Sequence, residues 1–314
     1  MYIRLQNRAH VNVSLIWKYV LATRPMFFTV SVLPVILGTL VGYRISGDLQ
    51  LGVAVLALLA VVFVHAGVNV FNDIYDELNG TDRINEDRIS PYTGGSRYIQ
   101  NGIFDLYQMR FLALILFTFS VIFGGALAIN KGVMVLVFGV VGIVLGLIYS
   151  APPLKLASRG VGEFIVGFGF GVLPVVGAAW LQSGMLISQA FLISLPVSLW
   201  VTNILLINEV PDRVADQTAN KRTLAVRYSL NTVANIHLMI NVIALLLMTL
   251  AVYLNYIGAQ VLIFTAILMI LAVMASNAIR TWKERPDHML QGIKMTLAIH
   301  GVNCLALIAW YLMS

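Results

Sequence analysis

The chain has 314 residues, of which 59% are hydrophobic and only 11% charged, and its formal net charge is +6. Soluble globular proteins carry about 25% charged residues, so this composition excludes a soluble enzyme, and the high apolar content excludes a disordered chain. An integral membrane protein remains, with chain enough for about nine or ten spans and short connections.

Ahead of the first apolar segment, Trp17 and Lys18 read as the start of an amphipathic segment lying at the membrane interface. That first segment does not read as a cleaved signal peptide, because polar and mixed sequence precedes it and no small-residue cleavage site closes a short apolar core. Windows of about 20 apolar residues predict nine spans, near 26–43, 51–71, 111–129, 133–150, 164–181, 186–207, 232–254, 257–279 and 294–313. Asn130-Lys131-Gly132 and Gln182-Ser183-Gly184 read as tight turns between paired spans. Pro34, Pro174 and Pro196 predict kinks, which a cavity-forming bundle tolerates. The single cysteine, Cys304, excludes an internal disulfide and a cysteine metal site.

Charge placement gives the sidedness. Of 20 Lys and Arg residues, 18 fall in segments on the side of the N-terminus, Arg4 and Arg8 among them, and only Arg44 and Lys131 fall on the other. The positive-inside rule then puts the N-terminus in the cytoplasm and the C-terminus outside, which requires an odd number of spans. Thirteen of the 14 acids share that side, with Asp48 the exception. The rule does not concern acids, so their asymmetry points to a working cytoplasmic face. The basic excess is a topology signal and a match to anionic headgroups; it calls for no nucleic acid.

Two acidic clusters stand out, in the regions 69–110 and 208–231. If the second helix continues past its apolar part, Asn69, Asn72, Asp73 and Asp76 lie at i, i+3, i+4 and i+7, on one face, with Asp82 beyond a break at Gly80. Asn208, Asp212 and Asp216 repeat the theme at i, i+4 and i+8, although Pro211 could kink that segment. Oxygen-bearing side chains so arranged suit Mg²⁺, which takes a few carboxylates plus water and phosphate oxygens. Asn72 and Asn208 are 136 residues and four spans apart, suggesting two four-helix halves that each deliver an acidic helix end to one side. A solvated loop, or an ion-pair network with Arg83, Arg88 and Arg213, would explain one such cluster; the shared Asn-x-x-x-Asp core at equivalent places argues against coincidence.

Between the clusters, Tyr149-Ser-Ala-Pro-Pro-Leu-Lys155 ends the fourth helix at its proline pair and sets Lys155 and Arg159 where a cytoplasmic anion could meet them. For Arg159 a mere topology marker is an equal reading. The Ser90–Arg97 loop is Gly-rich and reads as an anion-binding or lid loop, or simply a flexible turn. Two Mg²⁺-binding carboxylate sets with bases around them would receive a diphosphate, and an apolar bundle beneath would hold an isoprenoid tail.

Asn72-x-x-x-Asp76, Asp212-x-x-x-Asp216, Tyr149–Lys155 and Asn220-Lys-Arg-Thr-Leu-Ala-Val-Arg227 together resemble the intramembrane UbiA-type aromatic prenyltransferases. The resemblance spans nearly the whole chain. It implies an all-α ring of nine transmembrane helices around a central cavity, forming one membrane-embedded domain over 1–314, in the cytoplasmic membrane of a prokaryote. It also implies transfer of a polyprenyl group from a Mg²⁺-bound diphosphate to an aromatic acceptor. Carried over, Asn72 and Asp76 hold one Mg²⁺-diphosphate contact, supported by Asp73 and Asp82. Asp212 and Asp216 hold the other, assisted by Asn208, while Lys155 touches diphosphate and Arg97, Lys221 and Arg159 are further contacts. The first motif has Gly80 where the common pattern has its third acid, with Asp82 two residues later. That form is similar to the menaquinone branch, whose acceptor is 1,4-dihydroxy-2-naphthoate. Other acceptors remain open: 4-hydroxybenzoate, other quinone or tetrapyrrole precursors, or an archaeal glycerol-phosphate lipid. A secondary transporter is the rival of a different class, but transporter sites usually lie near the bilayer midplane, and the middles of these spans hold no acids.

His65, one turn before Asn69, could reach the cavity as a base for an acceptor hydroxyl, but packing or hydrogen bonding to a neighbouring helix is the preferred reading. Asn203 and Asn277 read as interhelical hydrogen-bonding groups. His10, His237, His288 and His300 form no ligand-like spacing.

Overall fold

The computed structural model describes residues 14–314, so Arg4, Arg8 and His10 lie outside the described residues. The described chain is helical, and nine long helices carry it: α1 (Thr29–Ser46), α2 (Leu51–Leu78), α3 (Leu106–Lys131), α4 (Met134–Ser150), α5 (Gly162–Ser183), α6 (Ser188–Thr218), α7 (Leu230–Tyr253), α8 (Ala259–Arg280) and α9 (Pro286–Met313). Eight are long and apolar enough to cross a membrane; α4, at 17 residues, is shorter. A short helix, Leu15–Ala22, precedes them and exposes Leu15, Ile16 and Trp17, in keeping with an interfacial segment.

The helices follow one another around a bundle. The most extensive contacts join α2 to α3, α1 to the second half of α5, and α6 through α9 in sequence, and α9 returns to α1. Gly38 and Gly42 on α1, spaced as a small-x-x-x-small pair, let the α5 backbone approach closely. A Cβ on Gly38 would stand 2.8 Å from the Val175 carbonyl carbon, so a larger residue would force the helices apart. Inside α5 the ladder widens to a π-turn at Phe168–Val172, just before Pro174, a known way of relieving a helix that lacks one backbone donor. The tightest apolar core, with Leu37, Ile193, Trp200, Met248 and Leu307 fully buried, lies where α1, α6, α7 and α9 meet. On the other side α2, α3, α4 and α5 are held apart around a cavity.

Two helix ends define the mouth of that cavity. α2 continues well past its apolar part, so Asn69, Asn72, Asp73 and Asp76 are helical as expected. It stops at Asn79-Gly80, where Gly80 takes φ +83°, a conformation open to glycine. α6 likewise runs through Pro211 to Thr218 without a break, placing Asn208, Asp212 and Asp216 on one helix. Asn220 then adopts φ 58°, which asparagine tolerates better than most residues. That turn reverses the chain, so the Lys221 amide donates to the Asp216 carbonyl at 2.8 Å.

Candidate active site

The cavity has a volume of about 470 Å³. Its deep part is apolar, walled by Val35, Ala57, Leu127, Val135 and Leu181 among others. Its mouth is polar and gathers Asn72 and Asp76 from α2, Asn208, Asp212 and Asp216 from α6, and Asp82, Arg24 and Lys221 from the connecting segments. Sequence positions 24 to 221 are thus brought to one place by two helix ends, the turns that follow them and the segment ahead of α1.

The Lys221 ammonium donates to Asp76 Oδ1 at 2.8 Å and lies 3.3 Å from Asp216 Oδ1, bridging the two acidic helices. Burial disfavours its charge, but the Asp76 and Asp216 carboxylates outweigh burial and hold it well above the usual lysine value. Asp212 is held from the other side: Oδ1 accepts from Asn85 Nδ2 at 2.7 Å and Oδ2 from the Gly94 amide at 3.0 Å. Asn72 Nδ2 donates to Ser150 Oγ at 3.3 Å. Asp82 is buried, and that burial together with the charges of Asp76 and Asp73 pushes its carboxyl well above the ordinary value; Arg24 and Lys221 offset only part of this.

Asp73 and Glu77 face different partners. Asp73 forms a buried ion pair with Arg24 and accepts from the Ser96 amide at 3.0 Å. Glu77 pairs with Arg83 and accepts from Gln100 Nε2 at 2.9 Å. Neither lines the cavity. The Gly-rich loop lies across the mouth, with Thr93, Gly94 and Gly95 on the lining. Gly94 and Gly95 take φ +69° and +71°, and a Cβ on Gly95 would stand 2.5 Å from Asp82 Oδ2, so only glycine lets this backbone approach the carboxylates.

Asn72, Asp76, Asp82, Asn208, Asp212, Asp216 and Lys221 all line the cavity, while Asp73, Lys155, Arg159 and Arg97 do not. Lys155 is exposed, between the lining residues Tyr149 and Ala157. Arg159 is exposed and donates to the Pro153 and Leu154 carbonyls. Arg97 has two buried guanidinium nitrogens without a hydrogen-bond partner. Sequence reasoning missed Arg24 and Asn85. Arg24 counted only as a topology marker, and nothing in the sequence signals its left-handed backbone (φ 56°) or its ion pair.

The donor set fits a hard divalent cation. All its members are oxygens, the carboxylates outnumber the cations among them, and Asn208 Oδ1 is buried on the lining without a hydrogen-bond partner. Among the described residues no three acidic or histidine groups already converge as a complete cage. Mg²⁺ does not need one, since it binds through one or two carboxylates plus water and substrate phosphate.

A helical bundle with eight helices long and apolar enough to cross a membrane, around a cavity with an acidic mouth, defines an integral, multi-pass membrane protein. Residues 31–312 match the UbiA prenyltransferase family, and the chain belongs to that family. It is 28% identical over 205 residues to the 1,4-dihydroxy-2-naphthoate octaprenyltransferase of Bacillus subtilis, a match covering 65% of this chain and 63% of that protein. It is 29% identical over 213 residues to UbiA prenyltransferase domain-containing protein 1 of Xenopus tropicalis, covering 66% and 59%. A third relative, the 2-carboxy-1,4-naphthoquinone phytyltransferase of Synechocystis, is 30% identical over 162 residues, covering 52% of this chain and 50% of that protein. These matches thus span less than two thirds of the relatives' own lengths.

Solved structures share the fold. A UbiA homolog from Aeropyrum pernix K1 aligns with a TM-score of 0.70 at 18% identity, covering 90% of this chain and 97% of that one. A UbiA homolog from Archaeoglobus fulgidus, solved bound to DMAPP and Mg²⁺, aligns at 0.64 and 18% identity, covering 93% and 99%.

Proposed function

We propose that this protein transfers a polyprenyl group from a Mg²⁺-bound polyprenyl diphosphate to an aromatic acceptor, 1,4-dihydroxy-2-naphthoate. The observation that carries the reading is the pairing of an acid-rimmed mouth with an apolar cavity, across which Lys221 joins Asp76 to Asp216. The acceptor rests on the Bacillus and Synechocystis relatives, both named for naphthalene-ring substrates, and on the Gly80-x-Asp82 form of the first motif.

Bound Mg²⁺ supplies positive charge to the departing diphosphate. Asn72, Asp76 and Asp82 on one side, and Asn208, Asp212 and Asp216 on the other, would hold it, with Asp73 supporting the first set through Arg24. Of the two cations lining the mouth, Arg24 is spent on Asp73, and Lys221 would touch diphosphate. Lys155 and Arg159, outside the lining, would meet the anion as it arrives, and Arg97 would stand behind the Gly94-Gly95 loop. The apolar walls take the prenyl chain and keep water from the allylic cation. The whole chain acts as a single membrane-embedded domain. Its sidedness rests on the basic residues: nine spans, with α4 crossing as the shortest, a cytoplasmic N-terminus and mouth, and an external C-terminus.

The test incubates purified protein in detergent with Mg²⁺, labelled polyprenyl diphosphate and a panel of acceptors, and identifies products by mass. A prenylated naphthoquinol precursor with stoichiometric diphosphate is expected. Product with a different acceptor would reassign the acceptor alone; no product and no diphosphate with any of them would overturn prenyl transfer.

A further inference from the structure

Seven residues before Asn72 on α2, His65 is 4% exposed and lines the cavity. The rise between them is about 10 Å, which sets the imidazole below the diphosphate end of the mouth. Its ring packs against Phe170 at 4.3 Å and Phe28 at 5.3 Å between centroids, and Phe27 and Phe170 continue the same wall. An aromatic ring lying beside the reacting end of a prenyl chain would face this surface.

His65 is hydrogen-bonded through Nδ1. Nδ1 lies 2.9 Å from Ser31 Oγ on α1, and Ser31 Oγ lies 3.1 Å from the Phe28 carbonyl oxygen, which can only accept. A hydroxyl has one proton. The Phe28 carbonyl also accepts from the Ser31 and Val32 amides, so the Oγ proton can go to Phe28 or to Nδ1; a role as base takes the tautomer in which Oγ accepts from Nδ1–H and the neutral ring keeps Nε2 unprotonated. Among the described residues no group bonds Nε2.

Of the other acids on the lining, Glu209 has a buried oxygen without a hydrogen-bond partner but follows Asn208 directly on α6, at the acidic mouth, and Asp82 accepts from Gln100. Asp76 and Asp216 hold Lys221, and Asp212 accepts from Asn85 and Gly94. Among the described histidines no other lines the cavity; His237 is bonded through both ring nitrogens to Ser276 and Thr296.

We infer that His65 is a catalytic residue whose Nε2 receives the proton of the acceptor's aromatic hydroxyl. The inference rests on the prenyl-transfer reading above. As the ring carbon forms its bond to C1 of the prenyl chain, the C1–oxygen bond breaks and diphosphate leaves with the electron pair. The hydroxyl proton passes to Nε2, so the acceptor becomes a neutral ring ketone rather than a cation, and the imidazolium later returns the proton to water. Ser31 is a positioning residue that presents the unprotonated nitrogen.

The experiment compares wild type, His65→Gln, His65→Ala and Ser31→Ala with geranyl diphosphate, 1,4-dihydroxy-2-naphthoate and Mg²⁺. The expected result is a fall in kcat of about 10²-fold or more in both His65 variants, with KM for geranyl diphosphate unchanged. Added imidazole should restore part of the rate to His65→Ala and none to the bulkier His65→Gln, a response that lost packing would not produce. Ser31→Ala should fall between. Wild-type kcat in His65→Gln overturns the inference, as does a well-folded His65→Ala that imidazole does not rescue. A wild type that makes no product fails the prenyl-transfer reading itself, whereas an active wild type matched by His65→Gln removes only the role of His65.

Discussion

Lys221 Nζ stands 2.8 Å from Asp76 Oδ1, a contact between residues 145 apart in sequence that ties the end of α2 to the turn after α6. Both side chains are nearly buried, at 11% and 13% exposure. Removing one member of such a pair strands the other charge, at a cost of about 3–5 kcal/mol. Lys221→Met is therefore expected to lower the melting temperature in the absence of metal. A divalent cation can take up the freed carboxylates, so Mg²⁺ or Mn²⁺ should stabilise this variant more than wild type, while transfer still falls for want of the cation at the diphosphate. Melting curves with and without Mn²⁺ check this; equal metal-dependent shifts would count against a shared metal and lysine site.

The acids of α2 separate into two kinds. Asp76 lines the mouth, while Asp73, one turn away from Asn69, is spent on Arg24 and the Ser96 amide. Asp76→Ala or Asp212→Ala should abolish transfer and leave membrane insertion and helicity intact. Asp73→Ala should cost stability first, by about 3 kcal/mol as a broken buried pair, and should be non-additive with Arg24→Ala in a double-mutant cycle. Thermal melts and transfer assays on the four single variants and the Asp73→Ala/Arg24→Ala double variant check this. Full activity in either purified Asp76→Ala or Asp212→Ala would sink their assignment to the metal.

Much of this arrangement was legible because membrane sequences are constrained. Hydropathy places the spans, since each must satisfy its own backbone in lipid, and the i, i+4 spacing of Asn72 with Asp76 and of Asp212 with Asp216 fixes a shared face once the segment is helical. What was not legible depends on where turns send the chain. By sequence, Lys155 stands ahead of Arg97, Lys221 and Arg159 as the diphosphate contact. The reversal at Asn220 carries Lys221 into the mouth, whereas the stretch after the proline pair leaves Lys155 exposed. Arg24 was hidden for the same reason: its role comes from a left-handed residue and a partner 49 positions away.

The Gly94-Gly95 turn offers a test of the mouth that alters no charge. Gly95 and Gly80 share positive φ, +71° and +83°, so alanine strains the backbone at either by about 1 kcal/mol. Their surroundings differ. Nothing lies within 4 Å of a Cβ on Gly80, whereas one on Gly95 would press on Asp82 Oδ2. Gly95→Ala is expected to raise the Mg²⁺ concentration needed for half-maximal activity by about tenfold, 1.4 kcal/mol at the site. Gly80→Ala should lose a similar increment of stability with little change in that concentration. Mg²⁺ titrations of the two purified variants decide it, and equal responses would mean that the loop acts through general stability alone.

Gly125 on α3 lines the cavity away from the acids, and a Cβ there would meet nothing within 4 Å. A larger side chain can therefore enter the space proposed for the prenyl tail without pushing the helices apart, and replacing a mid-helix glycine gains about 0.5–1 kcal/mol in helix propensity. Gly125→Leu is expected to keep or slightly raise the melting temperature. It should also shift donor preference toward short chains, raising the ratio of kcat/KM for geranyl over octaprenyl diphosphate about tenfold. By contrast, leucine at Gly38 would collide with the α5 backbone and should unfold the bundle. Competition between the two donors, read by product mass, gives the ratio directly; a Gly125→Leu ratio equal to wild type would place the tail along another wall of the cavity.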